Sequence, residues 1–242
     1  MMMTTNVSYS QILSEIKKAE NGERVLILPD TFLLKVAKFQ YRVGNSYMLR
    51  HINRKEVLLI DVVHETSKDT VDDLISDGYD IQGLLLTHSD LIDQAYTNMA
   101  QLSKDLNSAP IFAHPLDSKK TSADIKDIMK KNDVFEKFSI NIYHTPGHTG
   151  GSVLIHSDIN GGMLFTGDSA VGSPYEVEKS YFERPPIAEE STDMGLAGSW
   201  RFFDQPFKHI LPLHGKPEFD LSEGRQKDIL LNLSKDLKTE SL

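Results

Sequence analysis

Cysteine is absent from all 242 residues. Disulfides, thiolate metal ligands and a cysteine nucleophile are therefore excluded. A chain without cysteine suits a reducing compartment, and a cytoplasmic location is the expectation. Long apolar runs are also missing: the longest are about six residues, against the roughly 20 needed to cross a bilayer. The first residues, "MMMTTNVSYSQILSEIKKAENGERV", lack a basic segment followed by an apolar stretch, so a secretory signal is not expected either. Positive charge is in short supply. Lys and Arg number 26 against 35 Asp and Glu, a net charge of −9. Such a surface does not favour nucleic acid or an anionic membrane as partner.

What is present is ordinary for a soluble globular protein: 39% hydrophobic and 25% charged residues, in a chain long enough to bury a sizeable core. A single domain spanning residues 1–242 is expected. "SYSQILSEIKKAENG" sets Ile12, Leu13 and Ile16 on one helical face, with Gly22 as the stop. Strands are predicted at "RVLILP", "YRVGNSYMLRHI", "KEVLLIDVV", "IQGLLLTH" and "APIFAHP". Helices are predicted at "TSKDTVDDLISDG", before Leu106 and at "SADIKDIMKKND". The second half restarts with "FSINIYHTPGHT", "GSVLIHS" and "GGMLFTGD". It then crosses an irregular polar stretch, "SPYEVEKSYFERPPIAEESTDMG", and closes with the strand "HILPL" and a Leu-rich helix. Several strands are too uniformly apolar to have a wet face. Strands and helices also alternate, so the fold class is α/β, with sheets covered by helices.

The polar residues sit at telling positions. Apolar strands run directly into Asp61, His88, His148, Asp168 and His214. Loops at strand ends are where sites assemble in such sheets, and His with carboxylate is a ligand set for zinc, iron or manganese. Taken singly, each has a plainer reading: an Asp after a strand is commonly a cap or turn residue, and a lone His a hydrogen-bonded surface or core residue. Glycines beside three of them, in "HTPGHTGGS", "TGDS" and "LHGKP", mark tight turns that present a side chain at a strand edge. His114 reads as structural, and His144 as lying on the strand that leads to His148. His51, His64, His156 and His209 show no partner pattern. Tyr175, Tyr181, Phe182 and Trp200 are candidates for a substrate wall, a dimer contact or a small satellite core.

"HTPGHTGGSVLIH", "MLFTGDSAVG" and "ILPLHGKP", in that order and spacing, resemble the third, fourth and fifth motifs of the metallo-β-lactamase superfamily. "NSYMLRHINRKEVLLIDVV" looks like that family's early strand pair, ending in its first-motif Asp at Asp61. The similarity runs from about residue 43 to about residue 217. It implies a four-layer αβ/βα sandwich with a metal site at one edge, between two sheets. By position, His148 would be a ligand of the first metal site, Asp168 the carboxylate shared by two sites, and His214 a ligand of the second. Asp61 would brace the metal loop from behind the ligands.

The second motif departs from the family pattern Thr-His-X-His-X-Asp-His. Here the chain reads Thr87-His88-Ser89-Asp90-Leu91-Ile92-Asp93-Gln94. Without gaps, His88 keeps the first ligand position, Asp90 takes the second, Ile92 stands where the Asp is expected and Asp93 where the last His is expected. A one-residue insertion places Asp93 on the Asp and Gln94 on the last His. A two-residue deletion places Asp90 on the Asp and Leu91 on the last His. The acids also fit a helix start, where the dipole favours negative charge.

The resemblance implies a metal-dependent hydrolase acting on a small ester, thioester or lactone through a metal-activated water, with Asp93 or Asp168 handling the proton. The metal ligands would be His88, Asp90, His148, Asp168 and His214. Zinc is the expected metal, with iron and manganese as alternatives, and one ion rather than two. Expected partners are a small-molecule substrate and a second copy in a homodimer, with neither nucleic acid nor membrane. A mononuclear iron oxygenase-like enzyme and a catalytically silent binding protein are the competing readings.

Overall fold

A computed structural model describes residues 8–39, 42–63, 67–93, 98–119, 121, 123–186 and 190–235. Its larger sheet holds seven strands in sequence order: β1 (Arg24–Leu28), β2 (Thr31–Phe39), β3 (Arg42–Arg50), β4 (Glu56–Ile60), β5 (Asp80–Leu85), β6 (Ile111–Ala113) and β7 (Ile125–Asp127). Pairing is antiparallel from β1 to β4 and parallel from β4 to β7. The smaller sheet runs β13–β10–β9–β8, built from β8 (Ile140–His144), β9 (Val153–Ser157), β10 (Met163–Gly167) and β13 (His209–Pro212). A two-stranded ribbon joins β11 (Val171–Gly172) to β12 (Phe182–Glu183).

Strand alternation divides the apolar side chains into three cores. Leu58, Ile60, Leu85 and Phe112 of the large sheet meet Val153, Ile155, Met163 and Phe165 of the small one. The opposite face of the large sheet, with Val57, Leu59 and Leu84, is covered by α2 (Lys68–Ser76) and α4 (Met99–Asp105) through Val71, Leu74, Met99 and Leu102. The outer face of the small sheet, with Leu154, Leu164 and Ile210, is covered by α7 (Glu190–Phe202) and α8 (Glu223–Ser234) through Leu196, Trp200, Ile229 and Leu233. The layers are therefore helix, sheet, sheet, helix. This double burial explains why "EVLLI" and "MLFTG" carry no polar alternation. Helix α1 (Tyr9–Lys18) joins the inter-sheet core through Ile12 and Ile16. It starts at a capping box formed by Ser8 and Gln11.

Two sequence expectations fail. "SADIKDIMKKND" is not a helix. Ile125, Lys126 and Asp127 pair with β6 as a seventh strand, and Asp127 Oδ1 then accepts from Met129 N in a turn. The spacing of Ile125 and Ile128 fits a helical face, but Ile128 is instead pinned by its N–H on the Ala113 carbonyl. Tertiary pairing outweighs local pattern there. The short helix α6 (Asp133–Lys137) follows, capped by Asn132. The polar stretch before β13 is not wholly irregular either: α7 occupies its end. Arg184 anchors this helix by a bidentate ion pair with Asp193, at 2.7 and 2.8 Å. No helix among the described residues is long and apolar enough to cross a membrane.

Candidate metal centre

Asp61 lies just past β4 with a φ of 56°, a left-handed conformation that Asp tolerates better than most residues. The turn is held at both ends, by Asp61 N on the Leu85 carbonyl and by Ser46 Oγ on the Asp61 carbonyl. The buried Asp61 carboxylate therefore faces the loop that follows β5. Its Oδ1 accepts from Thr87 N and its Oδ2 from Thr87 Oγ1, both at 2.9 Å. With Asp61 ionised, the Thr87 hydroxyl gives it its proton and accepts in turn from His88 Nδ1, 2.9 Å away. That fixes the His88 tautomer and leaves Nε2 bare. Burial holds the His88 imidazole below its ordinary pKa, outweighing the upward pull of Asp168, so it stays neutral. Burial likewise pushes the Asp61 carboxyl up to about 7, against the pull of its two Thr87 hydrogen bonds.

Asp168 follows β10. Gly167 before it has a φ of 50°, and a Cβ there would sit 2.3 Å from Thr87 Oγ1, so only glycine lets these two loops meet. His214 follows β13, in a turn braced by β3: Asn45 Nδ2 donates to the Pro212 and Gly215 carbonyls, and Tyr47 OH to the Pro212 carbonyl. Gly215 closes the turn, because a Cβ there would lie 1.9 Å from the Gly172 carbonyl oxygen.

The structure brings together His88, Asp90, His148, Asp168 and His214. Asp168 Oδ2 is the hub, 3.7 Å from His88 Nε2, 3.6 Å from His148 Nε2 and 3.7 Å from His214 Nε2. His148 Nε2 also stands 3.4 Å from Asp90 Oδ2, at the start of α3 (Asp90–Asp93). His88, His148 and Asp168 offer ligand atoms all within 4.8 Å of one another. Of the group, Asp90 and His148 are the most open to solvent, with side chains 20% exposed. Burial lowers the His148 pKa, but Asp90 and Asp168 beside it more than reverse this, and the net shift is upward. Asp93 ends α3, and its side chain lies outside the described part of the structure. Leu91 and Ile92 turn into the apolar core beneath α2 and α4.

These residues fit a metal ion. His88 Nε2, His148 Nε2 and Asp168 Oδ1 are buried and have no hydrogen-bond partner among the described residues. Such atoms are costly to strand. The separations of 3.4–3.7 Å are too long for good hydrogen bonds. They do match the spacing of about 3.4 Å between two ligands that each stand about 2.1 Å from one tetrahedral ion.

Of the other histidines, His114 is structural as expected: it caps α5 (Pro115–Ser118). His144 ends β8 and stacks on His114 with ring centroids 4.2 Å apart. His64 lies outside the described residues. Trp200 and Phe182 are buried in the core under α7, and Trp200 Nε1 donates to the Ser169 carbonyl, so both serve the satellite-core reading. Tyr175 bonds Asn45, while Tyr181 is exposed. Sequence reasoning assigned no role to Thr87, although it stands in the second motif beside His88.

No protein-family model matches the sequence, and no curated protein is a match. Solved structures do match. The chain is similar to the DIM-1 metallo-β-lactamase at 16% identity and a TM-score of 0.63, covering 87% of this chain and 96% of that one. It is similar to a metallo-β-lactamase from Pontibacter korlensis at 14% identity and a TM-score of 0.63, covering 88% and 99%. It is also similar to the BLEG-1 B3 metallo-β-lactamase at 17% identity and a TM-score of 0.60, covering 85% and 100%. The fold is that of the metallo-β-lactamases.

Proposed function

We propose that the protein is a metal-dependent hydrolase with one metal site, acting on a small ester, thioester or lactone. The observation that carries this reading is the convergence of His88, His148 and Asp168, which offer ligand atoms within 4.8 Å of one another, with His88 Nε2 buried and without a hydrogen-bond partner among the described residues. His88, Asp90, His148 and Asp168 would hold the metal. The ungapped register of the second motif is favoured because Asp90 reaches His148. A second ion would have Asp168 and His214 but no carboxylate at position 92, where the buried Ile92 neither binds a cation nor accepts a proton.

A divalent ion bound there supplies Lewis acidity and lowers the pKa of a water it carries toward neutrality. The chain's own residues do the rest. Asp61 and Thr87 hold His88 neutral and correctly turned. Asp168 gathers the three imidazoles. Asp168 or Asp93 would orient a water or take its proton, and Asp90 would complete the ligand set at the open side. Two imidazoles and two carboxylates balance the charge of a divalent ion, which tightens binding and softens its Lewis acidity. The set suits zinc, and iron or manganese as well. The acidic chain fits a small-molecule substrate better than nucleic acid, and the composition fits a cytoplasmic setting.

The test is elemental analysis of protein purified without a His-tag, for wild type and for the double variant Asp90→Ala with His148→Ala. The expected result is roughly one metal per chain, lost in the variant. Zinc directs the next screen to esters and thioesters, and iron to oxygen chemistry. A wild-type protein still metal-free after incubation with zinc, iron or manganese removes the hydrolase reading in favour of a binding protein.

A further inference from the structure

His88 and His148 are each followed or preceded by a threonine, and each threonine is gripped by a buried carboxylate. Asp61 grips Thr87 through its backbone N–H and its hydroxyl. A second grip of the same chemical form lies across the site. Asp117, 3% exposed, sits in α5. Its Oδ2 accepts from Thr149 Oγ1 at 2.7 Å and its Oδ1 from Gly151 N at 3.0 Å. In both cases one carboxylate takes one threonine hydroxyl and one backbone N–H, and in both the threonine is the immediate neighbour of a histidine aimed at the metal centre.

The surroundings of Asp117 are arranged to keep it there. His114 Nδ1 accepts from Leu116 N and starts α5, which sets the height of Asp117 against the loop. Gly151 is the residue that permits the approach: a Cβ there would lie 2.5 Å from Asp117 Cγ. The loop is further closed by Thr149 N on Ser152 Oγ and Gly147 N on the Thr149 carbonyl. His144 Nε2 donates to the Gly150 carbonyl from the other side. Among the described residues, Asp117 supplies the carboxylate of this net, and it spans from α5 to the 148–152 turn.

We propose that Asp117 is a positioning residue for His148: it holds the turn that presents the imidazole, as Asp61 does for His88. The proposal rests on reading His148 as a metal ligand. Outer partners of this kind are worth about 10- to 100-fold in metal affinity. Asp117 makes its hydrogen bonds to Thr149 and Gly151 rather than to His148, and its charge also acts on the His148 imidazole through space.

The test compares wild type with Asp117→Ala, Asp117→Asn and Thr149→Val. Backbone amide exchange is measured on chelator-treated protein, zinc affinity by competition with a chromophoric chelator, and melting temperature as a fold control. The expected result for Asp117→Ala is faster exchange confined to residues 147–152 and zinc affinity lower by about 10- to 100-fold. Asp117→Asn, which keeps an acceptor for Gly151 N, recovers part of both. Thr149→Val loses part of both. Unchanged exchange at 147–152 in Asp117→Ala overturns the proposal, as does unchanged zinc affinity beside a loosened loop. Exchange raised evenly over the whole chain also overturns it, because that marks general destabilisation. If wild type binds no zinc, the metal reading above fails, and the positioning of His148 for a metal fails with it. The exchange data still show separately whether the clamp exists.

Discussion

At the scale of single residues, the site depends on a hydroxyl that carries no charge. Thr87 Oγ1 donates to Asp61 and accepts from His88, so one side chain sets both the tautomer of a ligand and the satisfaction of a buried acid. Replacing it separates these effects. Thr87→Val keeps the shape but strands Asp61 Oδ2 and His88 Nδ1 in a buried setting, at about 1–3 kcal/mol. It also frees the His88 ring, so metal affinity falls by about 10- to 100-fold. Thr87→Ser retains the hydroxyl and stays within about 1 kcal/mol of wild type. Urea unfolding in chelator reads the first effect, and zinc competition the second. Equal behaviour of the valine and serine variants would show that the hydroxyl relay does not operate. His88, Asp168 and His214 were legible because each follows an apolar strand closely, and His148 because its glycine-flanked turn follows β8. The Thr87 role was not, since a threonine at a strand end has no pattern of its own until Asp61 is seen to face it.

At the scale of elements, the errors have a common cause. The parts of "SADIKDIMKKND" and of α7 that sequence misread are decided by partners far along the chain. Ile125–Asp127 becomes a strand because β6 offers an open edge. Helix α7 forms despite Gly195 and Gly198 because Leu196, Ala197 and Trp200 bury against the small sheet. Gly147 makes room for Leu196, whose Cβ would stand 2.5 Å from a Cβ at that position. Helix α6 is tied to the large sheet by charge. Lys137 Nζ reaches Glu56 Oε1 at 3.0 Å, with side chains only 22% and 16% exposed, and this hydrogen bond lowers the Glu56 pKa. A carboxylate lowered on folding adds stability above its unfolded pKa and loses it as pH falls through the folded one. Lys137→Met is therefore expected to cost about 0.5–1 kcal/mol at pH 7. The gap from wild type should close as pH drops below about 4. Urea unfolding across that range checks it. A gap that stays constant with pH would assign the effect to packing of the lysine stem rather than to its charge.

At the scale of the whole molecule, the layer order was legible in the sequence because uniformly apolar strands such as "VLLI" and "MLFT" demand cover on both faces. The register of the second motif was not, because Asp90 fits a helix start as well as a ligand position and only the fold brings it within 3.4 Å of His148. The candidate ligand atoms come from both sheets: His88 follows β5 of the large one, and His148 and Asp168 follow β8 and β10 of the small one. An ion bound there would join the two halves of the sandwich, at a site that only the folded state assembles. It must then raise global stability by mass action, about 2.7 kcal/mol when free zinc is 100 times its dissociation constant. For a chain of this size each kcal/mol moves the melting temperature by about 2–4 °C, so a rise of roughly 5–10 °C over chelator-treated protein is expected. His148→Ala should melt at the same temperature with and without zinc. A wild-type protein whose melting is indifferent to zinc would mean that the strand-end cluster does not bind it with useful affinity, and that the sandwich is held by its three apolar cores alone.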